Sequence, residues 1–250
     1  MKGALAIQVS RVAYGNLTYE EIHQRATSGA IAIVPTGCTE QQGPHLPVDF
    51  DSWFAEQLMV AAAVRAKDCY DLDALVLPAL PFGPTPEHRS YGAGYIDIPD
   101  ALHQQVVWAI LTSLADQGFG RILVWRGCGG HHLESLVARF NELDRGLAYL
   151  PELPYHAIWC RIGDSTVPGG HADSFTTSIC LYLRPDDVRI DRIVNPGSKN
   201  VDWADVNLDF ARYSATGVIG DPTHASAALG ERLWLAAVDS AVDALLQFAG

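Results

Sequence analysis

What most limits this chain is an alternation of short, fully apolar runs with segments of helical spacing. Three such runs, "AIAIVPTG" (residues 30–37), "DALVLPALPFG" (73–83) and "FGRILVWRGCGG" (119–130), each end at glycine. Their apolarity is continuous and does not alternate with polar residues, the pattern of strands buried on both faces. Between them lie segments rich in helix formers. Residues 18–28 open on a threonine cap and close on serine before glycine, "DSWFAEQLMVAAAVRAK" starts at Asp51, and "PDALHQQVVWAILTSLADQG" is punctuated by proline and glycine. "HHLESLVARFNELDRGL", "ADSFTTSICLYL" and a closing "ALGERLWLAAVDSAVDALLQFA" add three more helices, and "LPYHAIWCRIG" (153–163) is expected to be a fourth strand. The order predicts an α/β fold: a mainly parallel central sheet with helices on both faces. A length of 250 residues suits one domain spanning 1–250. Residues 185–224 lack a clear period and are expected to form a long surface excursion.

Composition narrows the partners. The formal charge is −12, with no local cluster of lysine or arginine, which argues against nucleic acid or an anionic membrane. The five cysteines are widely spaced and form no CxxC pair. That is no disulfide framework, and a reducing, cytoplasmic setting is the expectation. The start lacks a sustained apolar leader, and no membrane-like run is evident.

In open α/β sheets, ligands gather beyond the carboxyl ends of the strands. Loops 37–51, 83–97 and 126–132 leave such ends carrying reactive side chains, and the glycine-rich 163–175 is similar in character. The first places Glu40, His45, Asp49 and Asp51 within twelve residues, on a loop stiffened by Pro44 and Pro47. Acids alone would suit a solvated turn; a histidine among them after a buried strand points to function. Cys128, between glycines, reads as a nucleophile or zinc ligand if it heads a helix, or else as an inert buried thiol. Adjacent His131 and His132 cannot both face one site, and capping or surface histidine is the plain alternative. His171 precedes a helix start that Asp173 or Ser174 could cap; Glu87 and His88 lie on a substrate loop or an ordinary turn. Cys38, Cys69, Cys160 and Cys180 sit in apolar surroundings and are expected to be structural.

These segments resemble a known family. "GCTEQQGPHLPVDFD" is similar to the signature loop of the creatininase family of metal-dependent amidohydrolases, G-S-x-E-Q-H-G-P-H-L-P-x-x-x-D. "FGPTPEHRSYGAGYIDI", "FGRILVWRGCGGHH", "GGHADSFTTSICLYLRPDDV" and "GVIGDPTHASAALGERL" resemble four further family segments in the same order, the last one typical of its peptidase-like branch. The resemblance implies two divalent ions bridged by the loop's final aspartate, and a multimer, often a hexamer. It places Glu40, Asp51 and Cys128 on one ion, with Cys128 where the family has the histidine of N-G-H and Arg126 where it has the asparagine. The other ion's private ligands are missing: Gln42 replaces a histidine, while Gly130 and Thr176 stand where glutamates occur. His171 falls where the family has a histidine near the scissile bond.

The implied reading is therefore a hydrolase of an amide or cyclic-amide C–N bond with one zinc ion on Glu40, Asp51 and Cys128. His171 would serve as proton shuttle, and Glu87 or His88 would orient a small-molecule or peptide substrate. Two alternatives remain at this level. Cys128 could be a metal-free nucleophile with His131 or His171 as base, or the chain could be a non-catalytic binder of a small molecule.

Overall fold

The computed structural model describes residues 11–167, 169–197 and 199–250. Residues 1–10, where the leader reading begins, lie outside that set. Four strands, Ile31–Thr36 (β1), Ala74–Val76 (β2), Arg121–Arg126 (β3) and Leu147–Tyr149 (β4), form one sheet in the order β2–β1–β3–β4. Every neighbouring pair is parallel. The helices are Tyr19–Thr27 (α1), Phe50–Tyr70 (α2), Asp100–Asp116 (α3), Glu134–Asn141 (α4), Tyr155–Ile162 (α5), Ser174–Leu183 (α6) and Ala227–Ala249 (α7).

All six residues of β1 are buried, as a central strand with both faces covered requires. Its side chains divide between two cores. Ile31 and Ile33, with Leu123 and Trp125 of β3, pack on the side of α2 and α7 through Phe54, Leu58, Leu233 and Ala237. Ala32 and Val34, with Ile122 and Val124, face the opposite core with Leu111 of α3 and Phe140 of α4. Helices on both faces follow directly from this period of two. Thr18 and Glu21 close a capping box at the start of α1, the reciprocal arrangement expected from its sequence.

Two expectations need correction. Residues 153–163 are not a strand: Tyr155–Ile162 is α5. Its buried residues, Ile158 and Trp159, are adjacent, while His156, Ala157, Cys160 and Arg161 are exposed. One helical stripe is buried there, and an apolar run that short cannot be assigned by periodicity alone. The fourth strand is β4, whose residues were expected at or beyond the end of the preceding helix. The strand expected over 73–83 shortens to β2 plus a bridge between Thr36 and Leu80.

Register sets up the site. Thr36 of β1 pairs with Arg126 of β3, so both strands end level. Gly37 and Gly127 follow, then Cys38 and Cys128. Gly127 admits no side chain, since a Cβ there would lie 2.5 Å from the Asp51 carbonyl oxygen and 2.7 Å from that of Thr36. The strand ends and the start of α2 are thereby pressed together.

Candidate functional site

The loop after β1 is pinned where Glu40 N–H donates to the Val48 carbonyl at 3.0 Å. It then enters α2, whose first turn carries Asp51, at the end where the helix dipole favours a carboxylate. The loop after β3 supplies Cys128. A 3₁₀ turn, Pro86–Tyr91, carries Glu87 and His88. His171 exchanges two backbone hydrogen bonds of 2.9 Å with Ile219. Ala172 follows at φ +50°, a conformation a non-glycine residue adopts at a cost of roughly 1–2 kcal/mol. Asp173 then caps α6 through the Thr176 N–H.

These segments converge. One ligand atom each from Cys38, Glu40, Asp51 and Cys128 lie within 4.8 Å of one another, all four residues buried. Beside them, Glu40, His88 and His171 form a second group of the same compactness. Glu40 Oε1 is 3.5 Å from His88 Nε2 and 3.5 Å from His171 Nδ1. Phe210, from the long excursion, packs its ring 5.0 Å from His88 and 5.4 Å from His171, so that excursion walls the site.

The structure brings Glu40, Asp51, Cys128, Glu87, His88 and His171 to one place, and leaves His45 and Asp49 out of it. The His45 ring bonds to Thr177 Oγ1 at 2.8 Å, tying the loop to α6, and Asp49 pairs with Arg184 at 2.8 Å. Cys38, expected to be structural, is buried among the clustered ligand atoms. Cys69 and Cys160 are exposed rather than set in apolar surroundings. Cys128 does not head a helix, because α4 begins at Glu134. His131, given a capping or surface alternative, is fully buried, while His132 is exposed.

His131 has a defined partner on each nitrogen. Nδ1 lies 2.9 Å from Thr36 Oγ1, and Nε2 lies 3.1 Å from Cys38 Sγ. Thr36 Oγ1 also lies 3.4 Å from the Trp125 carbonyl, and Cys38 Sγ lies 3.7 Å from the Pro84 carbonyl. Which ring nitrogen carries the hydrogen sets the direction of both His131 bonds. Gln42 is buried and its amide donates to Glu40 Oε1 at 3.4 Å. Thr176 bonds to Asp173 and offers nothing to the cluster.

Electrostatics describe a centre short of positive charge. Burial, then the charge of Glu87, raises the Glu40 carboxyl to about 8. Burial and the adjacent Glu40 push Asp51 well above the carboxylate range. The neighbouring Cys128 thiol, together with burial, drives Cys38 far up. For Cys128 the bond from Cys38 lowers the value, but burial and the nearby acids prevail and bring it to about 11. Burial lowers His88 to about 4 and His131 to about 3, and holds His171 well below its ordinary value.

A divalent ion fits these residues. Glu40 Oε2 is buried without a hydrogen-bond partner, and the buried carboxyl of Asp51 lies beside Glu40. Carboxylate oxygens beside a thiolate sulfur are a donor set that zinc accepts.

A family model described as creatinine amidohydrolase (Creatininase) matches residues 15–245. The chain belongs to the creatininase family. It is 34% identical over 239 residues to a mycofactocin precursor peptide peptidase of Mycobacterium tuberculosis, covering 87% of this chain and 84% of that one. A creatinine amidohydrolase of Pseudomonas putida is 28% identical over 259 residues, covering 92% of this chain and 95% of the relative. A solved creatininase of Zn–Zn type superposes with a TM-score of 0.78 at 24% identity, over 95% of this chain and 98% of that one, and supports the fold. The named relatives are hydrolases, and this member of their family is an enzyme. Among the described residues no helix is long and apolar enough to cross a membrane.

Proposed function

We propose that this chain hydrolyses an amide-type C–N bond, in a small molecule or a peptide, with a single zinc ion held by Glu40, Asp51 and Cys128. The observation that carries the reading is the Cys38–His131 hydrogen bond. The Cys38 sulfur already has a partner in His131 Nε2 at 3.1 Å, whereas Glu40, Asp51 and Cys128 stand at the positions where the family motif carries ion ligands. Catalytic zinc sites use three protein ligands and an open position, whereas four close the site. An ion there supplies Lewis acidity toward a carbonyl oxygen and toward water.

The protein's own groups then have distinct tasks. Glu40 holds its place between the ion site and the two histidines. His171, with Nδ1 toward Glu40, is placed to pass a proton to the leaving nitrogen. His88 and Glu87, whose side chains approach to 3.7 Å, orient the substrate. Phe210 shields both rings from water. A homo-oligomer, hexameric by family resemblance, and a cytoplasmic location compatible with five free thiols complete the proposal.

The reading of Cys128 as a metal-free nucleophile is less well supported. Its thiol is held at about 11 rather than activated, and His131 Nε2 bonds to Cys38. Elemental analysis of protein purified without chelator, with hydrolysis of a panel of amides, lactams and peptides, separates the two. One ion per chain and loss of turnover on chelation are expected. Turnover that survives chelation but not thiol alkylation would overturn the zinc reading.

A further inference from the structure

A further group of ligand atoms overlaps the zinc set and is softer in character. Cys38 Sγ, Cys128 Sγ and a ring nitrogen of His131 lie within 4.8 Å of one another, and all three residues are buried. The nitrogen that meets Cys38 is Nε2, at 3.1 Å. Cys38 and Cys128 each stand two residues past the level ends of β1 and β3, and His131 follows on the loop after β3.

The surroundings are shaped to these three. Gly83 leaves room for nothing but main chain, since a Cβ there would lie 2.2 Å from His131 Nε2 and 3.0 Å from Cys38 Sγ. Gly130 N–H donates to Cys128 Sγ at 3.4 Å, a bond that favours negative charge on sulfur. The His131 ring is held through Nδ1, 2.9 Å from Thr36 Oγ1, and packs beside His103 with ring centroids 4.4 Å apart. An outer oxygen partner of this kind fixes a metal-binding imidazole with its other nitrogen toward the ion.

The two donor sets differ in hardness. Glu40, Asp51 and Cys128 offer two oxygens and a sulfur, whereas Cys38, Cys128 and His131 offer two sulfurs and an imidazole nitrogen. Thiolates select soft ions such as Cu(I), for which carboxylates are poor ligands. With metal–sulfur and metal–nitrogen distances of about 2.3 and 2.0 Å, three ligands around one ion stand about 4 Å apart. That separation lies inside the span of these atoms.

We infer that Cys38, Cys128 and His131 form a site for Cu(I) that shares Cys128 with the zinc site and excludes zinc when filled. The Cys38–His131 hydrogen bond is its resting form: the copper ion takes the place of the hydrogen between them, and the thiol protons leave to solvent. The ion enters past Cys128, which keeps 9% of its surface, beside exposed Gly129. The inference goes beyond the hydrolase reading.

The test uses a Cys69→Ser, Cys160→Ser background, because those thiols are exposed and Cys160 Sγ lies 3.6 Å from His156 Nε2, a rival soft pair. Zinc-stripped protein is titrated anaerobically with Cu(I) against bicinchoninate, and X-ray absorption at the copper edge counts the neighbours. Two sulfurs and one nitrogen per copper are expected, one from each residue of the group. Thr36→Val removes only the outer partner of His131 and is expected to weaken binding about 10–100-fold; Cys38→Ser is expected to weaken it more. A native melting transition in Cys38→Ser separates a lost ligand from a lost fold, and His131→Gln, expected to keep both sulfurs and lose the nitrogen, serves if that variant does not fold. Zinc-loaded protein is expected to release zinc in step with Cu(I) uptake, followed with a chromophoric zinc chelator. A copper with a single sulfur neighbour, an affinity unchanged in folded Cys38→Ser, or zinc retained at full Cu(I) occupancy would overturn the inference. Native protein without zinc would count against the hydrolase proposal alone, because the copper titration begins from stripped protein.

Discussion

Stripping the ion should make stability depend on pH in a direction that ordinary acid denaturation does not show. Burial raises Glu40 from 4.5 to about 8, and Asp51 moves the same way. A group whose folded value lies above its unfolded one stabilises the fold at low pH, and that contribution is lost as pH rises through the folded value. The buried histidines have the opposite sign: with values depressed toward about 4 and 3 in His88 and His131, they favour folding as pH rises toward 6.5. The two effects oppose each other below about pH 6.5, and above it only the acids titrate. From about pH 6.5 to about 8, Glu40 alone withdraws about 2 kcal/mol at 1.36 kcal/mol per pH unit. For a chain of this size that is roughly 4–8 °C in Tm.

The assay is a series of thermal melts across that window, on chelated protein and on protein reloaded with zinc. Chelated protein should lose stability toward pH 8. Reloaded protein should not, because the ion already holds both carboxylates ionised. The difference between the two forms cancels every group that titrates identically in both. Parallel slopes, or a chelated form that gains stability between about pH 6.5 and 8, would refute the claim that Glu40 and Asp51 share a cation.

Cys38→Ala is expected to keep one zinc per chain by elemental analysis, whereas Cys128→Ala loses it; retention in both, or loss in both, would contradict the three-ligand assignment. Gln42→His alone is expected to bind no second ion in a calorimetric zinc titration, since the new imidazole is joined only by a shared Asp51. Gln42→His with Gly130→Glu is the smallest change with a route to one: Gly130 is not at positive φ, and a Cβ there would meet Cys128 Sγ at 3.7 Å and Glu87 Oε1 at 3.9 Å, ordinary contacts. Neutral amides should be turned over faster than acidic analogues, because Arg89 and Arg126 are already paired with Asp97 and Glu134; competition assays with matched neutral and carboxylated substrates check this.

The parallel sheet was legible because β1 and β3 are apolar on both faces, which few other environments permit. Helix α5 was not, because eight residues with one buried stripe contain too little periodicity to oppose an apolar composition. Glu40, Asp51, Cys128 and His171, which the structure brings together, were singled out through strand-end placement and family motif together. Cys38 escaped notice because its role depends on β1–β3 register, which sets it level with Cys128 ninety positions away. The sign was in the sequence nonetheless: two cysteines, each two residues beyond an apolar run. Phe210 carried no signal of its own, being a lone aromatic in an aperiodic stretch.

On the one-ion reading, the departures from the family pattern are consistent with each other electrostatically. At the second ion's private positions, Gln42, Gly130 and Thr176 are all uncharged, where the family resemblance places an imidazole and carboxylates. Glu87 already raises Glu40, and both of them raise Asp51, in this buried space. A further carboxylate at 130 or 176, without an ion to face, would be an uncompensated buried charge, which costs several kcal/mol. Gln42 instead turns an amide N–H toward Glu40 and helps to hold the carboxylate that the remaining ion needs. Cys38 follows the same logic: as a thiol bonded to His131 it adds no charge, whereas as a thiolate it would both close the zinc and add a fourth anion. On that reading, the neutral side chains around this centre would allow three anionic ligands and one ion to share so little space.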